Sequence, residues 1–325
     1  MNEFLAGILS GINSVIHNYG WSMVIFTLLI KLLVLPLDYK SRKSMRSMTK
    51  LQPEMQKLQK KYANDKEKLN QKSAELYRRA GVSPMSGCLP MIISMAILWI
   101  MFAAMRLVAN TEMAKQVIDL LTTGTQTNEG WLWIKNIWLP DSPFASVIAD
   151  SNSLKMIPAD VWSKVYAALS GDQLNVLTGL GITAETISSD TVFAALQTLP
   201  VYAEETALWA TMPTVDLFLF KIQIFAHNNG WFVLPILAAV TQLLMTNTTQ
   251  QAPAADPSQQ TTNKFMKYFF PIFSLWICSS YNAIFALYWV VSNIFAWIEN
   301  IALNKIFDNQ EAKTPDVSGE AGALK

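Results

Sequence analysis

Between Lys267 and Glu299 the chain runs 31 residues without a charged side chain. Wound as one helix, that run would measure about 46 Å, against a hydrocarbon core of about 30 Å. It is too long for one upright membrane span and is read as two, 264–280 and 283–304, reversing at the polar stretch around residues 279–282. Three further apolar runs fit a helix crossing once: 20–37, interrupted only by Lys31; 84–108, which includes Arg106 near its end; and 229–248. Charged residues make up 15% of the chain, whereas soluble domains carry about 25%. Together these features predict an all-α polytopic membrane protein with five spans.

The loops orient the spans through the bias of Lys and Arg toward the cytoplasmic side. Residues 38–83 carry 13 basic and 5 acidic side chains, and residues 109–228 carry 5 basic and 12 acidic ones. The first loop is therefore expected in the cytoplasm and the second outside, with the N-terminus outside and the C-terminus inside. Residues 249–263 form a smaller cytoplasmic loop, and 305–325, with mixed charge and little apolar content, read as a disordered cytoplasmic tail. At the other end, Leu5, Ile8, Leu9, Ile12, Val15 and Ile16 recur at helical spacing. Residues 1–19 are read as an amphipathic helix on the outer interface. Glu3, the lack of an early Lys or Arg and the lack of a small-residue cleavage site argue against a removable signal peptide.

Within 38–83, Met48, Leu51, Met55, Leu58 and Tyr62 fall on a heptad-like seam. After Asp65, a second segment carries Leu69, Leu76 and Tyr77 before Gly81 and Pro84 stop it. This is the pattern of an antiparallel helical hairpin with basic outer faces. Lys57, Lys60, Lys61, Lys66 and Lys68 are its candidate contact residues. They serve either as a solvated face that sets topology, or as contacts to anionic lipid headgroups, ribosomal RNA or a partner.

Lys31 is the one charge inside the first run. A lysine at the centre of a spanning helix costs about 2.5 to 3.5 kcal/mol on insertion scales, so such residues face an interior or a hydrated cavity, or snorkel to the interface. Lys31 stands seven residues before Asp38, within snorkelling reach. Thr27, at i−4 on the same face, favours a cavity. Ser94, Thr241, Gln242, Asn282, Ser292 and Asn293 are polar residues of other spans able to line it. No acidic residue is placed within a clearly defined span, which leaves Lys31 without an expected partner.

Other classes find less support. A formal net charge of +1 argues against coating DNA or other nucleic acid. Cys88 and Cys278 form no CxxC pair, and His17 and His227 lie outside the spans, so no metal site, disulfide framework or cofactor is expected. Without a P-loop, HExxH or GxSxG motif, no enzyme is read. An anion channel or secondary transporter using Lys31 stays open, although no internal repeat supports it. A membrane scaffold acting through the basic hairpin also stays open.

Several motifs in order carry a resemblance. The run TLLIKLLVLPLDYKSRKSMRSMTKLQPEMQKLQKKY, then SPMSGCLPMII, WLWIKNIWLPD, WFVLPILAAVTQLL and LYWVVSNIFAWIE resemble the YidC/Oxa/Alb membrane protein insertases, in particular bacterial members without a large external N-terminal domain. The resemblance implies a five-helix bundle enclosing a hydrophilic groove open to cytoplasm and lipid. It also implies insertion and folding of nascent membrane proteins, alone or with the Sec translocon and the ribosome, in a bacterial plasma membrane. The family's groove arginine falls on Lys31, its threonine one turn earlier on Thr27, and its aromatic residue after Leu-Tyr on Trp289. Lysine keeps the charge but not the bidentate fork. Ahead of the Leu-Tyr pair, YNAIFALYW departs from the family's usual Phe-Pro-x-Gly. Residues 142–228 have no recognised counterpart in compact members of the family and are expected to form a small acidic, mainly helical external insertion.

Overall fold

The structure is a computed structural model. It describes residues 2–81, 89–216, 221–249 and 257–312, with side-chain surroundings left out for 89–94, 210, 215–216, 221–223 and 257–264. In chain order its elements are α1 (Asn2–Ile16), α2 (Tyr19–Lys50), α3 (Gln52–Lys61), α4 (Lys66–Arg79), α5 (Leu89–Thr123), α6 (Ser151–Lys155), α7 (Ala159–Ala167), α8 (Gly171–Gly179), α9 (Ser189–Leu196), α10 (Pro200–Thr211), β1 (Thr214–Asp216), β2 (Lys221–Gln223), α11 (Val233–Thr248), α12 (Pro257–Ser280) and α13 (Ala283–Ala312). The two short strands pair antiparallel; the rest of the regular structure is helical. Among the described residues, the helices running through Tyr19–Lys50, Met95–Thr123 and Ala283–Ala312 are long and apolar enough to cross a membrane, and α11 is a shorter apolar helix. The protein is thus a helical membrane protein.

The chain divides into two compact units, and the division falls within α2, α5, α11, α12 and α13. The first comprises residues 1–28, 97–239 and 272–291. Its organiser is the irregular segment that follows α5. The first N–H groups of any helix lack intrahelical acceptors, and this segment supplies them to three helices. Glu129 Oε1 accepts the N–H of Tyr19, the first residue of α2, at 2.9 Å. Asp141, fully buried, accepts the N–H groups of Trp231 at 2.9 Å and Leu234 at 2.7 Å, where α11 begins. The carbonyls of Leu139 and Ile137 accept from Ala283 at 2.9 Å and Ile284 at 3.1 Å, the first turn of α13. Asn282 completes that turn by accepting from Phe285 N at 3.2 Å. Carboxylates at the starts of α2 and α11 also oppose the positive end of each helix dipole.

The same segment is itself tied down by buried amides. Asn229 accepts from Asn136 N at 2.7 Å and donates to the carbonyls of Asn136 and Pro140, each at 2.8 Å. Close approach is bought with glycines. A Cβ on Gly20 would lie 2.2 Å from the Trp131 ring, and one on Gly230 would lie 2.0 Å from Asp141 Oδ1. The packed rings continue with Tyr19 against Trp138, centroids 4.8 Å apart. Burial and the nearby Glu112 carboxylate push the Tyr19 phenol up to about 12.

The described residues of 142–228 hold five short helices with a core of their own. Leu154, Trp162, Leu177, Val192, Leu196 and Tyr202 are buried, each worth about 1.5 to 3 kcal/mol as a large apolar side chain removed from water. Asp150, Ser170 and Ser188 cap α6, α8 and α9 with reciprocal capping boxes. Gln173 of α8 reaches Asp119 of α5 at 3.1 Å.

The second unit comprises residues 29–96, 240–271 and 292–325. Asp65 caps α4 by accepting from Lys68 N at 3.0 Å. The helices α3 and α4 pack together as a hairpin. Two expectations need correction here. Residues 305–312 continue α13 as helix rather than beginning a disordered tail, because their charges have partners on α2. Arg46 holds Glu311 through Nε at 2.6 Å and Nη2 at 3.1 Å, and also bonds Asp308. Lys50 adds a 3.1 Å contact to Glu311, and Phe307 packs on Tyr39. Residues 313–325 lie outside the described residues. The second correction is Glu299, a buried carboxylate inside 283–304, where no acidic residue was expected.

Candidate functional site

The candidate groove residues distribute over both units. In the second unit, Lys31 on α2 is partly buried, Gln242 on α11 and Asn293 on α13 are each 7% exposed, and Ser292 is partly buried. Asn293 donates to Thr241 at 3.4 Å. Two buried polar side chains on facing apolar helices are expensive in hydrocarbon unless they are paired or hydrated. Two turns further along α13, Asn300 is fully buried and donates to the hydroxyls of Thr248 and Thr249 at 3.3 and 3.1 Å, while its oxygen accepts from Arg42.

Lys31 makes no ion pair within 4 Å among the described residues. Its electrostatic neighbourhood nevertheless contains two carboxylates. Burial pushes the Asp38 carboxyl above its ordinary range, against the opposing pull of nearby Lys31 and Arg42. Glu299 Oε1 sits 3.8 Å from Arg42 Nε and accepts no hydrogen bond. Lys31, Asp38, Arg42 and Glu299 thus form a group of balanced charge in one unit, three of them along about three turns of α2. Sequence reading missed Glu299, although its heptad distance from Ser292 put it on a common face of α13.

In the first unit, Thr27 is fully buried, and its hydroxyl is spent on the Met23 carbonyl at 2.7 Å. Trp289 packs on Phe285 with centroids 5.6 Å apart, and its buried Nε1 finds no acceptor. Ser94 falls among residues whose side chains are not described. On the hairpin, Lys57, Lys60, Lys61, Lys66 and Lys68 are all exposed, with Lys61 lying over the Tyr62 ring at 5.6 Å and Lys68 paired to Asp65 at 3.1 Å.

Long apolar helices carrying polar and charged side chains in their interiors, three of them started by one buried polar segment, define a polytopic helical membrane protein built around polar contacts. The sequence profile of the 60Kd inner membrane protein family matches residues 11–169 and 190–311. The chain therefore belongs to this family, that of the YidC/Oxa/Alb proteins. The match runs through most of 142–228: between its two parts, only 170–189 fall outside.

Relatives named membrane protein insertase YidC include one from Fusobacterium nucleatum, 46% identical over 106 residues, 33% of this chain and 52% of that protein. One from Chlorobaculum tepidum is 27% identical over 304 residues, 94% of this chain and 36% of that protein. One from Chlorobaculum parvum is 38% identical over 135 residues, 42% of this chain and 20% of that protein. The matches thus span about half of these relatives or less.

Proposed function

We propose that the protein inserts newly made membrane proteins and helps them fold, through a hydrophilic groove open to cytoplasm and lipid, in a bacterial plasma membrane. Lys31 is the observation that carries this reading: a partly buried cation in an apolar helix, free of ion pairs among the described residues, in the unit that also holds Gln242, Ser292 and Asn293. Five spans run 20–37, 84–108, 229–248, 264–280 and 283–304, with the N-terminus outside and the C-terminus cytoplasmic. One segment starting α2, α11 and α13 supports this alternation, since it requires those three helices to begin on one side.

The mechanism is physical and breaks no bond. A polar external segment of a nascent chain enters the hydrated groove and so crosses only part of the hydrocarbon. Lys31 attracts its acidic groups. The substrate's apolar span slides along the helices into lipid, driven by burial of about 25 cal/mol per Å² and assisted by the transmembrane potential on acidic segments. The Sec translocon and the ribosome are partners in this reading, and the hairpin lysines contact anionic headgroups.

The deciding experiment reconstitutes wild type, Lys31→Arg and Lys31→Leu at equal protein levels with a single-span substrate bearing an acidic external tail. Protection of that tail from protease in wild type and Lys31→Arg, but not in Lys31→Leu, is expected. Equal protection by all three removes Lys31 from the mechanism, and no protection by any removes the insertase reading.

A further inference from the structure

Trp99, Phe102 and Arg106 follow one another on a single stripe of α5 and form the floor of a cleft of about 470 Å³ in the first unit. That is the size of a small-molecule site. Glu3, in the first turn of α1, lines it, as do Asp160 and Lys164 of α7. Trp99 is 65% exposed. Arg106 is exposed and makes no ion pair among the described residues. Lys164 divides itself between Glu3 at 3.7 Å and Asp160 at 3.5 Å, all three solvent-accessible. The cleft therefore presents two cations and two carboxylates above an aromatic wall. No side chain caps the start of α7, where Pro158 occupies the N-cap, so main-chain donors remain on the same rim.

We propose that this cleft holds one ethanolamine phospholipid of the outer leaflet. Its phosphate meets Arg106 and Lys164, its ammonium donates to Glu3 and Asp160, and an acyl chain lies on Trp99 and Phe102. The seven residues from Trp99 to Arg106 give about 10 Å of helix, the depth from upper acyl chain to phosphate. Balanced charge selects the head group. A glycerol headgroup carries no cation to set against the two carboxylates, and a trimethylated choline cannot donate hydrogen bonds to them. The assignment rests on the α5 orientation proposed above, and not on insertion activity.

The test is native mass spectrometry of the full chain released from nanodiscs containing equal ethanolamine, glycerol and choline phospholipids. Wild type should retain one ethanolamine lipid in excess. Arg106→Ala should lower that retention about tenfold, the loss of one charged hydrogen bond, and Arg106→Lys should restore part of it. Glu3→Gln combined with Asp160→Asn should turn the preference toward the glycerol lipid, and this arm decides should Arg106→Ala fail to fold. Equal retention of the three head groups, or a carboxylate variant with the wild-type profile, overturns the proposal. Insertion measured on the same samples separates the two readings: an inactive protein that still selects ethanolamine loses only the insertase assignment.

Discussion

The carboxylate of Asp141 and the main-chain N–H of Leu234 meet at 2.7 Å across 93 residues of sequence. The other oxygen takes Trp231 N at 2.9 Å, and Trp133 Nε1 adds a third donor at 3.1 Å. An acceptor with three donors and no solvent cannot be exchanged for an amide, because one donor would then face an NH₂ group. Asp141→Asn is expected to cost about 1.5 to 3 kcal/mol, the range for a hydrogen bond to a charged group. Thermal unfolding in nanodiscs reads the loss, and an unshifted transition would remove Asp141 as the start of α11.

Gly20 permits the Trp131 ring to lie against the first turn of α2. Gly20→Ala is expected to destabilise by about 1 to 3 kcal/mol through overpacking. Trp131→Ala should recover part of that in the double variant, although it is harmful alone. Strictly additive effects would show that the two sites do not touch.

Hydrogen bonds from Arg46 and the Lys50 charge hold the Glu311 carboxyl below its ordinary 4.5. A depressed carboxyl stabilises the folded form above its unfolded value, and that contribution disappears as pH falls through the folded value. Hydrogen exchange at residues 305–312 should therefore accelerate below about pH 4.5 relative to the α13 interior. Arg46→Gln should make it fast already at neutral pH. A pH-independent ratio of the two exchange rates would contradict the pairing.

Lys57, Lys60, Lys61, Lys66 and Lys68 are exposed, so changing all five to Gln should leave thermal stability within about 0.5 kcal/mol per site. Binding of the reconstituted protein's hairpin face to anionic vesicles should weaken by about 1 kcal/mol per lysine removed. Unaltered vesicle binding would assign these lysines to topology alone.

The long apolar helices and the hairpin are legible because they depend on local period: long runs nearly free of charge, and a seam from Met48 to Tyr62. Lys31 was visible for the same reason, as a cost within an apolar run. What stayed hidden depends on distant partners. Glu129 and Asp141 read as ordinary loop acids, since nothing local reveals that their acceptors meet Tyr19 and Leu234. Residues 305–312 looked disordered by composition, but Arg46 and Phe307 hold them. Glu299 is hidden for the same reason: it closes the charge-free run, and nothing local reveals that it is buried near Arg42 of α2.

The segment that starts three helices also imposes an order in time. Asp141 is made 93 residues before Leu234, an interval of about 5 to 20 s at ordinary synthesis rates of about 5 to 20 residues per second. The carbonyls of Ile137 and Leu139 wait longer still, for Ala283 and Ile284. Until α13 arrives, this seam is an unfinished polar surface whose acceptors still lack their donors, and the emerging chain itself needs shelter.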